Sequence, residues 1–140
     1  MIYSEILQEI SSDLNYVEKE LHRYALSSQT LLGQSSTSLV EAGGKRLRPA
    51  FVLLSGRFFQ YDLQRMSQLA VAVELTHMGT LVHDDVIDDA ATRRGRPTVR
   101  VQWGDSIALQ TGNYLFAQAL QIIDRYGNQE VLRILTRVSL

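Results

Sequence analysis

The chain has no cysteine, which excludes a disulfide framework, a thiolate metal site and a cysteine nucleophile. It has no large excess of either charge: the formal net charge is -1, which gives no reason to expect nucleic acid or an acidic membrane surface as a partner. It also lacks a signal peptide pattern at its start and any apolar run near the roughly 20 residues of a transmembrane helix. We therefore predict a cytoplasmic protein that is not an integral membrane protein, with any anion site built locally.

Hydrophobic residues make up 45% of the 140 residues, enough to form the packed core of one domain. They recur at intervals of three and four, which predicts helices throughout, and no alternating run is long enough for a strand. The predicted helices cover residues 2–26, a short stretch before 43, about 50–59, about 66 to the acidic segment at 84, 106–126, and a last stretch from 128. The segments 27–37 and 91–104 are predicted to be loops.

Residues with special backbone preferences mark where these helices begin and end. Pro49 suits the first turn of the helix that follows it. Ser106 is a predicted N-cap, Gly127 a predicted stop, and Asn128 the predicted start of the last helix. That last helix is still amphipathic at Leu140, where it meets no capping signal. We therefore expect the chain to be incomplete on its C-terminal side.

Four carboxylates lie close together at the end of the long apolar helix, in the segment Asp84–Asp89, which reads Asp-Asp-Val-Ile-Asp-Asp. Asp84 and Asp88 are one turn apart on one helical face, where like charges repel. A bound cation reverses this repulsion, and Mg²⁺ usually takes one or two carboxylates together with substrate phosphate oxygens. The alternative is an acidic helix end exposed to water, because a short motif of this kind often matches by chance.

Two basic segments accompany the acidic one. The first, Gly43–Pro49, places three cations after two glycines, whose small size lets the backbone approach a ligand. The second, Arg93–Thr98, follows soon after the aspartates. Arginine and lysine both suit diphosphate oxygens. The alternatives are a basic turn that is only solvated surface, and arginines that simply pair with the neighbouring aspartates.

His77 lies seven residues before Asp84 and therefore two turns away on the same helical face. A single histidine there is about as often a core or capping residue as a ligand contact. The combination of features is more informative than any one of them. One carboxylate cluster for a metal ion and two basic clusters for anions are what two diphosphate substrates require.

Three motifs in this order resemble those of the trans-isoprenyl diphosphate synthases, in particular the catalytic chains of the long-chain, hexaprenyl and heptaprenyl type. They are Gly-Gly-Lys-Arg-Leu-Arg-Pro at 43–49, Leu-Val-His-Asp-Asp-Val-Ile-Asp at 81–88 and Arg-Arg-Gly-Arg-Pro-Thr-Val at 93–99. The resemblance runs from about residue 38 to Ala117. It implies an all-α fold, an antiparallel helical bundle around a central cavity, of which residues 1–140 form the N-terminal half of a single domain.

The resemblance also implies roles for matching residues. It assigns Mg²⁺ binding at the allylic diphosphate to Asp84, Asp85 and Asp88. It implies that Arg93 binds the same allylic diphosphate, so the expected catalytic residues are these three aspartates and Arg93. It assigns isopentenyl diphosphate to Lys45, Arg48, His77 and Arg94. The allylic diphosphate then ionises, the isopentenyl double bond attacks the cation and a proton is lost, so charge stabilisation of the leaving group is the main catalytic effect expected.

Product length is predicted from Gly79 and Thr80. Gly79 lies five residues before Asp84, where short-chain members of the family carry bulky aromatic residues, so its lack of a side chain would leave the shaft for the product open. The expected product is an all-trans hexaprenyl or heptaprenyl diphosphate, a menaquinone side-chain precursor.

Two features depart from the family pattern. Asn113 differs from the residue usual at its position, and the second aspartate-rich motif has no counterpart in this sequence. Because that motif is absent, we expect the 140-residue chain by itself to be inactive or nearly so.

The resemblance implies a homodimer, or a heteromer with a dissimilar small subunit, and no nucleic acid partner. Other interpretations stay open at this point: a class I terpene cyclase, a non-catalytic subunit of a heteromeric prenyl synthase, or a helical scaffold with an incidental acidic patch. A cyclase needs no second diphosphate site, so Lys45, Arg48 and Arg94 favour condensation. The intact aspartates and arginines favour a catalytic chain over a non-catalytic subunit.

Overall fold

The computed structural model describes residue 5 and residues 8–26 and 30–138. In chain order its elements include helices α1 Ser11–Ala25, α2 Leu31–Glu41, α3 Leu47–Gly56 and α4 Leu63–Ile87, strands β1 Thr92–Arg93 and β2 Arg96–Pro97, and helices α5 Val99–Trp103, α6 Asp105–Tyr126 and α7 Gln129–Val138. Helices dominate, as predicted. No helix in the described ranges combines the length and the apolar character that crossing a membrane requires.

The long helix α4 lies at the centre of the structure and carries the acidic segment at its end. It packs along α6 and also contacts α1, α3 and α5. Residues 70–72 are all buried, and three consecutive residues cannot lie on one helical face, so neighbours enclose α4 from several sides. A smaller apolar cluster of Val82, Val99 and Ala108 lies beneath the acidic end of the helix. This packing fixes where the aspartates are presented.

Several predicted helix ends are confirmed. Gly127 ends α6 in the left-handed conformation, with φ 76°. The side-chain oxygen of Asn128 accepts hydrogen bonds from the backbone N–H groups of Glu130 and Val131, at 3.0 and 3.1 Å, and so caps α7. The predicted cap at Ser106 is wrong, because α6 already begins at Asp105 after a glycine with φ 88°.

The prediction of a loop over 27–37 is wrong from Leu31 onward, where α2 begins; residues 27–29 lie outside the described residues. The polar composition misled because three of the hydroxyls, those of Ser35, Thr37 and Ser38, donate to carbonyls within the helix. Thr37 Oγ1 donates to the carbonyl of Gly33 at 2.8 Å, one turn earlier. Ser35 Oγ also lies 2.7 Å from the hydroxyl of Thr111 on α6, in a buried contact that ties the two helices together.

Two further boundaries differ from prediction. The first predicted helix, 2–26, is interrupted at Ile10, whose φ of -109° and ψ of 10° place it just before α1; residues 1–4, 6 and 7 lie outside the described residues. The helix predicted over 50–59 runs from Leu47 to Gly56 instead. Pro49 does lie in its first turn, where its missing N–H is not needed.

The segment 91–104, predicted as a plain connection without strands, contains a short hairpin and the helix α5. The strands pair antiparallel, with Arg93 opposite Arg96. The two residues between them, Arg94 and Gly95, have φ values of 53° and 76°, which is the pattern of a type I′ turn. Strands of two residues are too short to show an alternating pattern, so they could not be predicted from the sequence.

Candidate functional site

The acidic segment lies at an electrostatically unfavourable place. Asp84 and Asp85 occupy the last turn of α4, and Asp88 is its C-cap. The C-terminus of a helix already carries partial negative charge, so carboxylates there destabilise the helix end unless cations lie nearby. The structure supplies such cations from the hairpin and from α5.

Two of the four aspartates are engaged by arginines. Asp85, whose side chain is only 4% exposed, accepts hydrogen bonds at Oδ1 from Arg93 Nε at 2.8 Å and pairs with Arg93 Nη2 at 2.7 Å. Asp89 pairs with Arg100, which also binds Asp105 at 2.8 Å. The expected alternative, arginines neutralising neighbouring aspartates, therefore applies to this half of the cluster.

Asp84 and Asp88, by contrast, are exposed, and neither forms an ion pair within the described ranges. Their charges still act on Arg93. The hydrogen bond to Asp85 is the largest cause that raises the pKa of Arg93, and the charges of Asp85, Asp84 and Asp88 raise it further, against the opposing effect of burial. The guanidinium thus stays charged beside the carboxylates.

The four residues predicted to bind isopentenyl diphosphate line one cavity of about 460 Å³. They are Lys45, Arg48, His77 and Arg94. These residues come from the basic turn, the start of α3, the middle of α4 and the hairpin, so the fold brings together positions almost 50 residues apart in the chain. Lys45 and Arg48 are exposed and can meet an anion from solvent.

A second cavity of about 210 Å³ adjoins the first and is lined by the ion pair of Asp85 and Arg93. The two cavities share Arg46, Glu74, His77 and Arg94 in their walls. Asp84 and Asp88 line neither cavity. The structure therefore places the predicted cationic residues together and leaves the two exposed aspartates at the rim of the helix end.

The hairpin is attached to the basic turn through its arginines. Arg94 donates to the backbone carbonyl of Gly43, and Arg96 donates to that of Glu41 at 3.3 Å. A Cβ built on Gly44 would lie 2.6 Å from Nη1 of Arg94. Gly44 is thus needed for the close approach of the Arg94 guanidinium to this turn.

His77 is half-buried between these charges. Burial is the largest cause that lowers its pKa, the charge of Arg48 lowers it further, and Glu74 opposes the shift. A lowered pKa favours the neutral imidazole, which donates one hydrogen bond and accepts another. A bound anion would act in the opposite direction and favour the protonated ring.

The donor set fits a divalent cation that shares its ligands with a substrate. No cluster of three or more potential ligand side chains forms among the described residues. Asp84 and Asp88 nevertheless present two carboxylates one turn apart, and Mg²⁺ is usually held by one or two carboxylates plus phosphate oxygens. Both contacts of Arg93 with Asp85 are to Oδ1, so Oδ2 of Asp85 can join them while the ion pair is intact.

The expected open space beside Gly79 is filled in this structure. A Cβ on Gly79 would lie 3.0 Å from Cε1 of Phe116 and 3.1 Å from the carbonyl oxygen of Gly112, both on α6. Thr80 is half-buried and donates to the carbonyl of His77 at 2.7 Å. Gly79 is therefore a close contact between α4 and α6, and its role in product length stays a prediction.

Sequence reasoning missed Arg46, Glu18 and Glu74, which form a partly buried ion-pair network behind the basic turn. Glu74 did carry a signal. It is an acidic residue in an otherwise apolar stretch of a helix predicted to be buried, and a buried carboxylate requires a cationic partner. Glu18 carried none, because on an amphipathic helix it looks like any solvent-facing residue.

Residues 29–140 match the polyprenyl synthetase family, and the chain belongs to that family. It is 52% identical over 128 residues to heptaprenyl diphosphate synthase component 2 of Geobacillus stearothermophilus, a match that covers 91% of this chain and 40% of that protein. This comparison confirms the resemblance noted from the three motifs. The chain spans less than half the length of the curated relative it matches.

Solved structures give the same result. Heptaprenyl diphosphate synthase from Staphylococcus aureus is 38% identical, with a TM-score of 0.86 over 91% of this chain and 41% of that one. Polyprenyl synthase from Caulobacter crescentus CB15, complexed with calcium and isoprenyl diphosphate, is 31% identical, with a TM-score of 0.89 over 97% of this chain and 42% of that one. These neighbours confirm the all-α isoprenoid synthase fold.

Proposed function

We propose that this chain is the N-terminal half of the single domain of a Mg²⁺-dependent prenyltransferase. The enzyme condenses isopentenyl diphosphate with an allylic prenyl diphosphate and makes a long all-trans polyprenyl diphosphate of the hexaprenyl or heptaprenyl type, a quinone side-chain precursor. The observation that carries the proposal is the cavity lined by Lys45, Arg48, His77 and Arg94. Its position beside the pair of Asp85 and Arg93 supplies room for a second diphosphate.

In this proposal the four cavity residues hold isopentenyl diphosphate. Arg48 and Arg94 offer forked donors, Lys45 a compact charge and His77 a donor on a half-buried ring. Lys45 and Arg48 line only the larger cavity, and Asp85 and Arg93 line only the smaller one, so the two diphosphates are held in different places. Arg93 contacts the allylic diphosphate, for which it exchanges its present partner Asp85.

Asp84 and Asp88, joined by Asp85, are the proposed ligands of Mg²⁺, which when bound supplies positive charge to the departing diphosphate. Arg93 adds to that stabilisation as the allylic C–O bond breaks. The isopentenyl double bond then attacks the allylic cation and a proton is lost, with no covalent bond to the protein. The Caulobacter crescentus relative, complexed with calcium and isoprenyl diphosphate, supports a divalent cation and a diphosphate as joint ligands.

The long product is proposed from the relatives. Both the Geobacillus stearothermophilus and the Staphylococcus aureus proteins are heptaprenyl diphosphate synthases by name. Gly79 and Thr80 are the proposed length-determining residues. Because Phe116 fills the space beside Gly79, a growing chain that passes there has to displace this ring. Replacing Phe116 by Ala should then lengthen the product. An unchanged product would contradict the proposal that Gly79 and Thr80 determine product length.

A dissimilar subunit is the proposed partner, because the Geobacillus stearothermophilus relative is called component 2 of its synthase; a homodimer is the alternative. That name is also compatible with the alternative of a non-catalytic subunit, in which the other component performs the chemistry. The terpene cyclase alternative differs by needing no isopentenyl diphosphate. We expect the 140 residues by themselves to turn over little or no substrate, since they span 40% of that relative.

The test is an assay of the full-length protein with radiolabelled isopentenyl diphosphate and farnesyl diphosphate, with and without Mg²⁺ and the candidate partner, with product length read by chromatography. Long linear products that require Mg²⁺ are expected. Asp84→Asn should abolish most of the activity. Asp89→Asn is the matched control. It removes a carboxylate from the same segment, but this carboxylate already pairs with Arg100.

Three other outcomes would redirect the proposal. Cyclic products without use of isopentenyl diphosphate would support the cyclase. Activity that survives Asp84→Asn in the complex with its partner would support a non-catalytic chain. Equal loss in Asp84→Asn and Asp89→Asn would show that the segment needs its charge rather than particular ligands. The cytoplasmic location predicted from the sequence also stays a prediction, to be tested by imaging the tagged full-length protein.

A further inference from the structure

The three cations of the basic turn, Lys45, Arg46 and Arg48, point in different directions. Lys45 and Arg48 are exposed and line the larger cavity. The side chain of Arg46 also borders both cavities, but it is only 11% exposed and each of its three nitrogen atoms donates to a partner within the protein. A buried guanidinium needs partners for its charge and its donors, because its unfavourable desolvation free energy otherwise far exceeds the stabilisation that a surface contact provides.

Arg46 finds these partners on three different elements. Its Nε and Nη2 form a forked pair with Glu18 of α1, at 2.7 and 2.8 Å. Its Nη1 donates to Glu74 of α4 at 3.1 Å, and Nη2 also donates to the carbonyl of Val40 near the end of α2 at 3.1 Å. A planar fork with several donors is required for this bridge, which a lysine ammonium cannot reproduce.

The backbone of Arg46 is held in an unfavourable conformation. Its φ of 47° and ψ of 37° lie in the left-handed region, which residues other than glycine rarely adopt. Such a conformation persists only when surrounding contacts fix it. Arg46 is also the N-cap of α3, so its backbone angles set the direction in which the chain leaves Lys45 and enters the helix that carries Arg48.

Glu74 gives a second reason for the network. Its side chain is 6% exposed, and the residue lines both cavities, where a negative charge would repel a diphosphate. The guanidinium of Arg46 lies between Glu74 and Glu18 and offsets part of this charge. The hydrogen bond to Glu18 is the largest cause that raises the pKa of Arg46, while the bond to Arg46 is the largest that lowers the pKa of Glu18, so both groups stay charged at neutral pH.

We propose that Arg46, bridged to Glu18 and Glu74, is a positioning residue that holds the basic turn open for the diphosphate of isopentenyl diphosphate without contacting it. This inference rests on the proposed function. The consequence is specific: loosening the bridge should weaken the binding of isopentenyl diphosphate by Lys45 and Arg48. The allylic substrate, proposed to bind at the acidic C-terminal end of α4, should be affected little.

The test compares Glu18→Gln and Arg46→Lys with wild type in the full-length enzyme and its complex. We expect KM for isopentenyl diphosphate to rise about tenfold, a change of about 1.4 kcal/mol. The KM for the allylic substrate and the kcat at saturating isopentenyl diphosphate should stay within about twofold. Glu20→Gln is the matched control, because Glu20 lies on the same helix and pairs with Arg23 at the surface.

A second readout separates positioning from mere stability. Amide hydrogen exchange at residues 43–48 should speed up in Glu18→Gln and not in Glu20→Gln. If Glu18→Gln and Arg46→Lys lower only the folded fraction, with both KM values unchanged, the inference is wrong. If wild type fails to use isopentenyl diphosphate at all, the proposed function is wrong, whatever the variants do.

Discussion

The pair of Asp85 and Arg93 is buried unequally, and this leads to an unequal effect of removing either partner. The Asp85 side chain is 4% exposed and that of Arg93 is 36% exposed. Arg93→Met would leave a buried carboxylate without its cation. Asp85→Asn would leave a guanidinium that water can reach, and would keep an oxygen to accept its hydrogen bonds.

The magnitudes follow from this geometry. A buried carboxylate that loses its partner costs about 3–5 kcal/mol when the pair is fully enclosed. Because solvent reaches Arg93 and can partly replace it, we expect about 1–3 kcal/mol for Arg93→Met. Asp85→Asn loses the ion pair but also removes a negative charge from a helix C-terminus beside two other aspartates, so we expect about 1 kcal/mol or less.

The assay is urea unfolding of wild type, both single variants and the double variant, with free energies from linear extrapolation. The double variant should be more stable than Arg93→Met alone, because it no longer buries an unpaired charge. If Arg93→Met costs no more than Asp85→Asn, or if the double variant is as unstable as Arg93→Met, then the carboxylate is not buried as described.

Three further predictions concern single positions. Gly44→Ala should displace Arg94 from the carbonyl of Gly43, because the new Cβ would lie 2.6 Å from its guanidinium. We expect KM for isopentenyl diphosphate to rise several-fold, which corresponds to a loss of about 1 kcal/mol of binding free energy. The unfolding free energy should change little. The pKa of His77 is lowered in the folded chain, so the stabilising effect of the neutral imidazole is present above its unfolded-state pKa near 6.5 and is lost as pH falls. Between pH 7 and 5, the unfolding free energy should therefore fall less in His77→Gln than in wild type. Ser35→Ala should cost about 1–2 kcal/mol in urea unfolding by removing its buried bond to Thr111.

Much of the fold was predictable from the spacing of apolar residues. The helices α4 and α6 were predicted because long periodic runs leave little ambiguity, and Gly127 and Asn128 marked an end and a start correctly. The first part of helix α2, within the predicted loop 27–37, was missed because serine and threonine favour loops on average, whereas the short helix expected before residue 43 matches its last residues. Its stability depends on a buried contact with Thr111, 76 residues away from Ser35, which no local pattern can show.

The grouping of the candidate cationic residues was predictable from the sequence, but the different contacts that each of them makes were not. The motifs indicated Lys45, Arg48, His77 and Arg94, and the structure brings these residues to one cavity. Nothing local distinguishes Arg46 from its basic neighbours, because its inward direction depends on a left-handed backbone and on carboxylates from α1 and α4. The same holds for the aspartates: only tertiary contacts show which of them are engaged by arginines.

The most direct test of the central claim is the kinetics of Arg48→Met in the full-length enzyme, with Arg65→Met as control. Arg65 lies at the other end of α4, where it stacks on Tyr126. The account predicts that Arg48→Met raises KM for isopentenyl diphosphate at least about tenfold, leaves KM for the allylic diphosphate nearly unchanged, and that Arg65→Met changes neither. Equal KM values for isopentenyl diphosphate in Arg48→Met and wild type would contradict it.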